Sequence, residues 1–170
     1  HDQTRRQRQM CIRDSTNMTE LAYSGLGINP HYGTPDNPFY PGSVPGGSTS
    51  GGAVSVALNL SDIAIGTDTG GSTRIPAAFT GITGFKPTQD SISRDGVLTL
   101  SISLDSVGLM AGNVELCKLG YHAMRKKINA KQEKLQYKNP KLIIPSNFGF
   151  DDIDDEIKVA FKLAKKKITE

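Results

Sequence analysis

The chain has 170 residues, 36% of them hydrophobic and 22% charged, with no tryptophan and a formal net charge of +3. This composition excludes a coiled coil and a fully disordered chain, and two cysteines, Cys11 and Cys117, are too few for a disulfide scaffold. No apolar run approaches the roughly 20 residues of a membrane helix and none has the form of a signal peptide, so the expectation is a soluble, cytoplasmic protein without membrane contact.

The charge is unevenly spread. Residues 1–15 carry a net +2, residues 16–117 a net −5 and residues 118–170 a net +6, while sixteen of the eighteen glycines fall between positions 16 and 117. The basic balance therefore belongs to the two ends, where a lysine-rich face on a solvated helix explains it, and no nucleic-acid partner is expected. The segment His1–Ser15 has no hydrophobic period, cap or turn signal. Its run Arg5-Arg6-Gln7-Arg8-Gln9-Met10-Cys11-Ile12-Arg13-Asp14 resembles a translated sequencing adapter, so residues 1–15 are read as an adapter-like, non-native tail. The rival reading is a basic nucleic-acid-binding arm.

From Thr16 onward, Thr19–Ala22 suggests a helical turn. Asn29-Pro30, Thr34-Pro35-Asp36-Asn37-Pro38 and Tyr40-Pro41-Gly42 punctuate a long irregular loop. That loop enters Pro45-Gly46-Gly47-Ser48-Thr49-Ser50-Gly51-Gly52, after which Ala53–Leu58, small and apolar all round, suits a buried helix. Asp62–Gly66 reads as a short buried strand running into a second glycine loop, Gly66-Thr67-Asp68-Thr69-Gly70-Gly71-Ser72. Pro76-Ala77-Ala78-Phe79 suggests a helix start, and Ile82–Phe85 a further strand. Glu115 to about Gln132 has a helical pattern weakened by Gly120, and Lys141–Pro145 is a buried-strand candidate. Ile153, Ile157, Phe161, Ala164 and Ile168 share one helical face. The order glycine loop, helix, strand, glycine loop points to α/β architecture.

Glycine loops that join strands to helices gather backbone N–H groups around one point, which stabilises an anion: a bound phosphate or an oxyanion of acyl transfer. A P-loop needs lysine and a hydroxyl residue after its last glycine, whereas Gly71 is followed by Ser72-Thr73-Arg74, and neither loop contains G-x-G-x-x-G. Acyl transfer fits better, because each loop carries a serine hydroxyl that a base can activate. The histidines do not supply that base in any recognisable pattern. His1 lies in the tail, His31 in the turn-rich loop and His122 in a basic helix, so a serine–histidine–aspartate triad is not supported.

Together the two loops are specific. Gly46–Gly52, then Gly66–Ala77, Gly81-Ile82-Thr83-Gly84-Phe85-Lys86-Pro87-Thr88, Ser103-Leu104-Asp105-Ser106-Val107-Gly108 and the earlier Thr16-Asn17-Met18-Thr19-Glu20 resemble the amidase signature family. The likeness is strong over residues 16–116 and weak beyond. It implies a serine–cis-serine–lysine mechanism without metal or cofactor. Ser72 matches the nucleophile. Ser48 matches the bridging serine, which follows a cis peptide bond and relays the proton. The N–H groups of Thr69, Gly70, Gly71 and Ser72 match the oxyanion hole. Thr49 stands where a small hydroxyl residue is common. The family's general base is a lysine upstream of the first loop, and no lysine precedes Lys86. Lys86 matches a family position that is not catalytic, and it is read as a surface or salt-bridged lysine.

Other positions are secondary. Asp68 and Arg74 flank the nucleophile loop and are expected to pair and support it. Ala22 and Tyr23 correspond to a stretch lining the acyl pocket in relatives. Ser50 and Ser55 are read as capping or packing hydroxyls, and Cys117 as a buried small hydrophobe.

The resemblance thus implies an α/β fold: the incomplete core of the amidase signature fold, a mixed β-sheet flanked by helices. The expected organisation is a tail at 1–15, a signature core at 16–116 and a helix-strand-helix continuation at 117–170, truncated at both ends. The expected function is cleavage of carboxamide C–N bonds in a small-molecule substrate through an acyl-enzyme on Ser72, with the fragment itself inactive because its lysine lies upstream. One alternative is the ammonia-releasing chain of a tRNA-dependent amidotransferase (its A chain), which takes ammonia from glutamine and works with partner subunits. Asn29-Pro30-His31-Tyr32-Gly33 resembles the hydrolase branch instead. The alternative of another class is a non-catalytic domain that binds an anion at its glycine loops.

Overall fold

The computed structural model describes residues 16–125, 141, 143–144 and 152–169. The chain divides into two compact units, one up to Asn129 and one from Ala130. The tail expected at 1–15 lies outside the described residues, as do residues 126–132 of the helix expected to follow Glu115.

In the first unit a 3₁₀ turn at Glu20–Ala22 precedes α1 (Ser50–Ala57), β1 (Ile63–Asp68), α2 (Arg74–Phe79), β2 (Thr83–Phe85), β3 (Ser106–Ala111) and α3 (Val114–Met124). The strands form one sheet in the order β1-β3-β2. β3 runs antiparallel to both neighbours, with Gly66 opposite Gly108 and Gly84 opposite Met110. β1 and β2 therefore run the same way on either side of β3, joined by a crossover through α2. The α/β class stands, with both described pairings antiparallel.

Because side chains alternate across a strand, Ala64, Gly66, Asp68, Gly84, Ser106, Gly108 and Met110 share one face of the sheet. α1 and α2 cover that face, and Ala53, Val56, Ala64, Ala77 and Met110 form its core, with Ile82 packed alongside. The opposite face receives α3. A Cβ on Gly120 would lie 3.3 Å from Ile63 Cδ1 and 3.4 Å from Leu109 Cδ1, so the glycine that weakens this helix lets it approach the sheet closely. The Phe85 and Tyr121 rings meet edge to face at 5.5 Å. Asn113 caps α3 by accepting from the Leu116 amide at 2.8 Å.

β3 carries no alternation that singles it out in the sequence. All six of its residues are buried, because it is the central strand with helices on both faces. α1 forms despite two glycines, each costing about 1 kcal/mol relative to alanine. A Cβ on Gly51 would collide with the Asn17 amide at 2.3 Å, and one on Gly52 would crowd Met110 and Ala64. Asn59, with φ 56°, turns the chain out of this helix.

In the second unit α4 (Asp155–Thr169) has Asp155 and Glu156 in its first turn and Lys166 and Lys167 in its last, complementing the helix dipole. Lys158 donates to Asp155 Oδ1 at 2.9 Å. Of the segment 141–145, Lys141, Ile143 and Ile144 are described and sit in exposed, irregular backbone, while Leu142 and Pro145 lie outside the described residues. No helix among the described residues is long and apolar enough to cross a membrane.

Candidate active site

The first glycine loop leads into α1 and is held from both sides. The Gly47 amide donates to Gly25 O at 2.7 Å, and the Thr19 amide donates to Ser48 O at 3.0 Å. The segment 19–25 is therefore tied at both ends to the loop, and Ala22 and Tyr23 lie within it. Ala22 has φ 58° and is half-buried, while Tyr23 is 82% exposed. The Gly47–Ser48 peptide bond is cis. Ser48 is fully buried, and its Oγ has no hydrogen-bond partner among the described residues.

The second loop leaves the end of β1 and enters α2. It meets the first loop directly: the Thr49 amide donates to Ser72 O at 3.2 Å, and a Cβ on Gly46 would lie 2.9 Å from Pro76 Cα. The turns bearing Ser48 and Ser72 are thus adjoining, although their hydroxyls are not hydrogen-bonded to each other. Ser72 is half-buried. Gly71, at φ 138°, adopts a backbone conformation that suits glycine, and Gly70 faces open space.

Each serine is followed by a threonine that rests on a glycine of the sheet. A Cβ on Gly66 would lie 2.5 Å from Thr49 Oγ1, and one on Gly108 would lie 2.8 Å from Thr73 Oγ1. Gly66 and Gly108 are cross-strand partners on one face, so together they form the bare patch on which both loops sit.

Asp68 anchors the second loop from beneath. Its carboxylate, fully buried, accepts from the Thr73 amide at 3.2 Å, Thr73 Oγ1 at 2.9 Å, Arg74 Nε at 3.1 Å and Arg74 Nη2 at 2.9 Å. Lys86 Nζ adds an ion pair at 3.4 Å. Burial alone would raise the carboxyl pKa. The bonds from Arg74 and Thr73 and the guanidinium charge outweigh it and hold the group well below the usual carboxylate range. The same bonds push the Arg74 pKa up, against its partial desolvation.

Sequence reasoning did not single out Asp105. This buried carboxylate accepts from Thr69 Oγ1 at 2.5 Å and from the Leu100 and Ser101 amides at 2.8 and 2.9 Å. Burial raises its pKa, but those three bonds and the charge of Arg94 lower it on balance. The only sequence signal was its place inside Ser103–Gly108. Lys86 also does more than pair with a carboxylate. Nζ donates to Asp68 O, to Leu104 O at 2.9 Å and to Thr69 O at 3.4 Å.

The remaining candidates take packing roles. Ser50 Oγ donates to Asn17 O at 3.1 Å, and Ser55 Oγ to Gly52 O at 2.8 Å. His31 makes an exposed contact with Glu20 at 3.5 Å. Cys117 is buried, and its desolvation raises the thiol pKa.

Residues 6–168 match the family described as Amidase. A 2-amino-5-chloromuconic acid deaminase from Comamonas testosteroni is 35% identical over 171 residues, covering 98% of this chain and 37% of the relative. An indoleacetamide hydrolase from Pseudomonas syringae pv. syringae is 47% identical over 107 residues, covering 61% of this chain and 24% of that protein. The glutamyl-tRNA(Gln) amidotransferase chain of Cupriavidus taiwanensis is 50% identical over 115 residues, covering 68% of this chain and 23% of that protein. A crystal structure of an amidase aligns with a TM-score of 0.62 at 41% identity, covering 63% of this chain and 25% of that one. The chain thus spans well under half the length of these relatives. With both glycine loops inside the matched span, the chain belongs to the Amidase family.

Proposed function

We propose that this chain carries the nucleophile, the proton relay and the anion-binding turn of an enzyme that hydrolyses carboxamides. The observation that carries the reading is the hydrogen bond from the Thr49 amide to Ser72 O, which sets the turn bearing the buried Ser48 hydroxyl, without a partner among the described residues, beside that of the half-buried Ser72. In the proposed reaction Ser72 Oγ attacks the amide carbonyl and gives its proton to Ser48 Oγ, which passes its own to the general base. The family resemblance assigns that base to a lysine ahead of the first loop. Lys86 is not a candidate for it, since its ammonium is committed to Asp68 and three carbonyls.

The carbonyl oxygen becomes an oxyanion facing the N–H groups of Thr69, Gly70, Gly71 and Ser72. Collapse of the intermediate breaks the C–N bond, the nitrogen takes the proton back through Ser48, and ammonia or an amine leaves. Water then repeats the sequence on the acyl-enzyme and releases a carboxylic acid. Catalytic hydrogen bonds in unliganded enzymes are often unformed and tighten once substrate is bound, which accommodates the separate hydroxyls here. Asp68, Arg74 and Asp105 support the turn, and Ala22 and Tyr23 are assigned to the acyl pocket on the strength of their tether to the first loop. The signature core at 16–116 and a cytoplasmic location belong to the same proposal.

The test uses the full-length gene product. A serine-directed fluorophosphonate is expected to label Ser72, and Ser72→Ala to abolish both labelling and ammonia release from simple carboxamides. Labelling that survives Ser72→Ala overturns the assignment. A second reading, with ammonia released from glutamine and handed to a partner protein, is favoured by the likeness to the glutamyl-tRNA(Gln) amidotransferase chain. Turnover confined to glutamine, and dependent on a co-purifying partner, selects it.

A further inference from the structure

Lys86 stands outside the residues given a role in the reaction, yet its ammonium lies where the loop bearing Leu104 meets the nucleophile turn. It donates to the carbonyl oxygens of Asp68, Thr69 and Leu104 and pairs with Asp68 Oδ1 at 3.4 Å. A trans peptide unit points its C=O and its N–H in opposite directions. Drawing Asp68 O and Thr69 O toward one ammonium therefore turns the Thr69 and Gly70 amides away from it. We propose that Lys86 is a positioning residue, aiming these two N–H groups at the anion that forms on Ser72. The inference rests on the acyl-enzyme reading above and adds to it the group that sets the turn's orientation.

A neighbouring contact on Gly71 O fixes the Ser72 amide in the same sense, while the Thr73 amide is turned to Asp68 Oδ2. The Ile75 amide binds Gly71 O at 2.7 Å and the Thr49 amide binds Ser72 O at 3.2 Å, so the carbonyls of Asp68, Thr69, Gly71 and Ser72 all accept hydrogen bonds. Thr69 Oγ1 is held separately by Asp105. Lys86 acts on the two peptide units whose amides begin the turn. It reaches them from β2's end, through a side chain that is 24% exposed. A cation there also polarises both peptide units, enlarging the positive end that each N–H presents.

The experiment measures fluorophosphonate labelling of the full-length gene product, in which charge develops on the phosphoryl oxygen as Ser72 attacks. Lys86→Met removes all donors and keeps the apolar stem, and Lys86→Arg keeps charge and donors. Lys86→Met is expected to lower the maximal labelling rate by about tenfold to a hundredfold, less than deletion of an oxyanion donor would at its upper range. The concentration for half-maximal rate should change less than about twofold, since ground-state binding is untouched. Lys86→Arg should recover most of the loss. An unchanged rate in Lys86→Met overturns the inference, as does a loss matched by an equal change in half-saturation. If Lys86→Met does not fold, Lys86→Gln, which keeps one donating arm, is read by the same split. Absence of labelling in the unsubstituted protein overturns the acyl-enzyme reading itself.

Discussion

The Thr49 side chain occupies the space that a Cβ on Gly66 would need, with Oγ1 2.5 Å and Cγ2 2.9 Å from that position. Thr49 follows Ser48, and its amide holds Ser72 O. The contact therefore couples the surface of the sheet to both serine turns at once. Gly66→Ala is expected to destabilise the protein by about 1–3 kcal/mol, the usual cost of forcing a methyl group into a packed core. It should also slow labelling of Ser72, because a displaced Thr49 disturbs the amide that holds Ser72 O and the turn that bears Ser48. Gly112→Ala, where a Cβ meets nothing within 4 Å, should stay within about 0.5 kcal/mol in the same denaturant titration. Equal midpoints for the two variants would contradict the seating of Thr49 on the sheet.

Ser48 offers a cleaner separation of function from stability. Its hydroxyl is buried without a hydrogen-bond partner among the described residues, so the fold already bears the cost of dehydrating it. Among the described residues, removing it leaves no orphaned partner behind, unlike removing one half of a hydrogen bond. Ser48→Ala should change unfolding free energy by less than about 0.5 kcal/mol, or raise it. Amide turnover should fall by about a hundredfold or more, the scale of a lost proton-transfer group. A stability loss above about 1.5 kcal/mol would mean that the hydroxyl has a structural bond instead.

What could be read from the sequence follows how local each signal was. The two glycine loops and the α/β class rest on contiguous patterns: Gly46–Gly52, Gly66–Ser72, and the apolar run that becomes α1. β3 escaped because Ser106–Ala111 is buried on both faces, and Gly108 interrupts its apolar character. Gly120 looked like a weak point in a helix and proves to be the site of closest approach to Ile63 and Leu109. The contact of Thr69 with Asp105 spans 36 positions, and that of Lys86 with Asp68 spans 18, so no local rule marks either. Sequence chemistry names the charges, and only the folded chain says which carbonyls they meet.

Asp68 should govern the acid limb of stability. Its carboxyl pKa lies well below the ordinary value of about 3.9, so its contribution is complete above that pH and fades as pH falls toward the depressed folded-state value. Asp68→Asn leaves the Arg74 and Lys86 cations facing a neutral amide. It should cost about 2–4 kcal/mol at neutral pH, somewhat below the full penalty for a broken buried pair because Arg74 is half exposed. Asp105 titrates alike in both proteins and cancels from the comparison. The gap between the two denaturation midpoints should hold from about pH 5 to 8 and narrow below about pH 4. A gap unchanged down to about pH 2 would show that the carboxylate's bonds add nothing to the folded state.

The neighbouring glycines of the nucleophile turn should respond in opposite ways to the same added methyl group. Gly70 lies outside the positive-φ region, and a Cβ there meets nothing within 4 Å. Gly70→Ala should therefore melt at or slightly above the unsubstituted protein, since alanine gives up less backbone freedom on folding, worth about 0.4–1 kcal/mol. Gly71 sits at φ 138°, and a Cβ there would lie 2.8 Å from Ile75 Cδ1, so Gly71→Ala should destabilise the fold by more than about 1 kcal/mol. Activity should not follow stability. On the proposed reading the open space beside Gly70 is where the substrate carbonyl approaches the turn. Its methyl group should then slow labelling of Ser72 in a protein that is otherwise at least as stable. Thermal melting read beside labelling rate checks both halves, and a Gly70→Ala protein labelled at the full rate would move the anion site away from this turn.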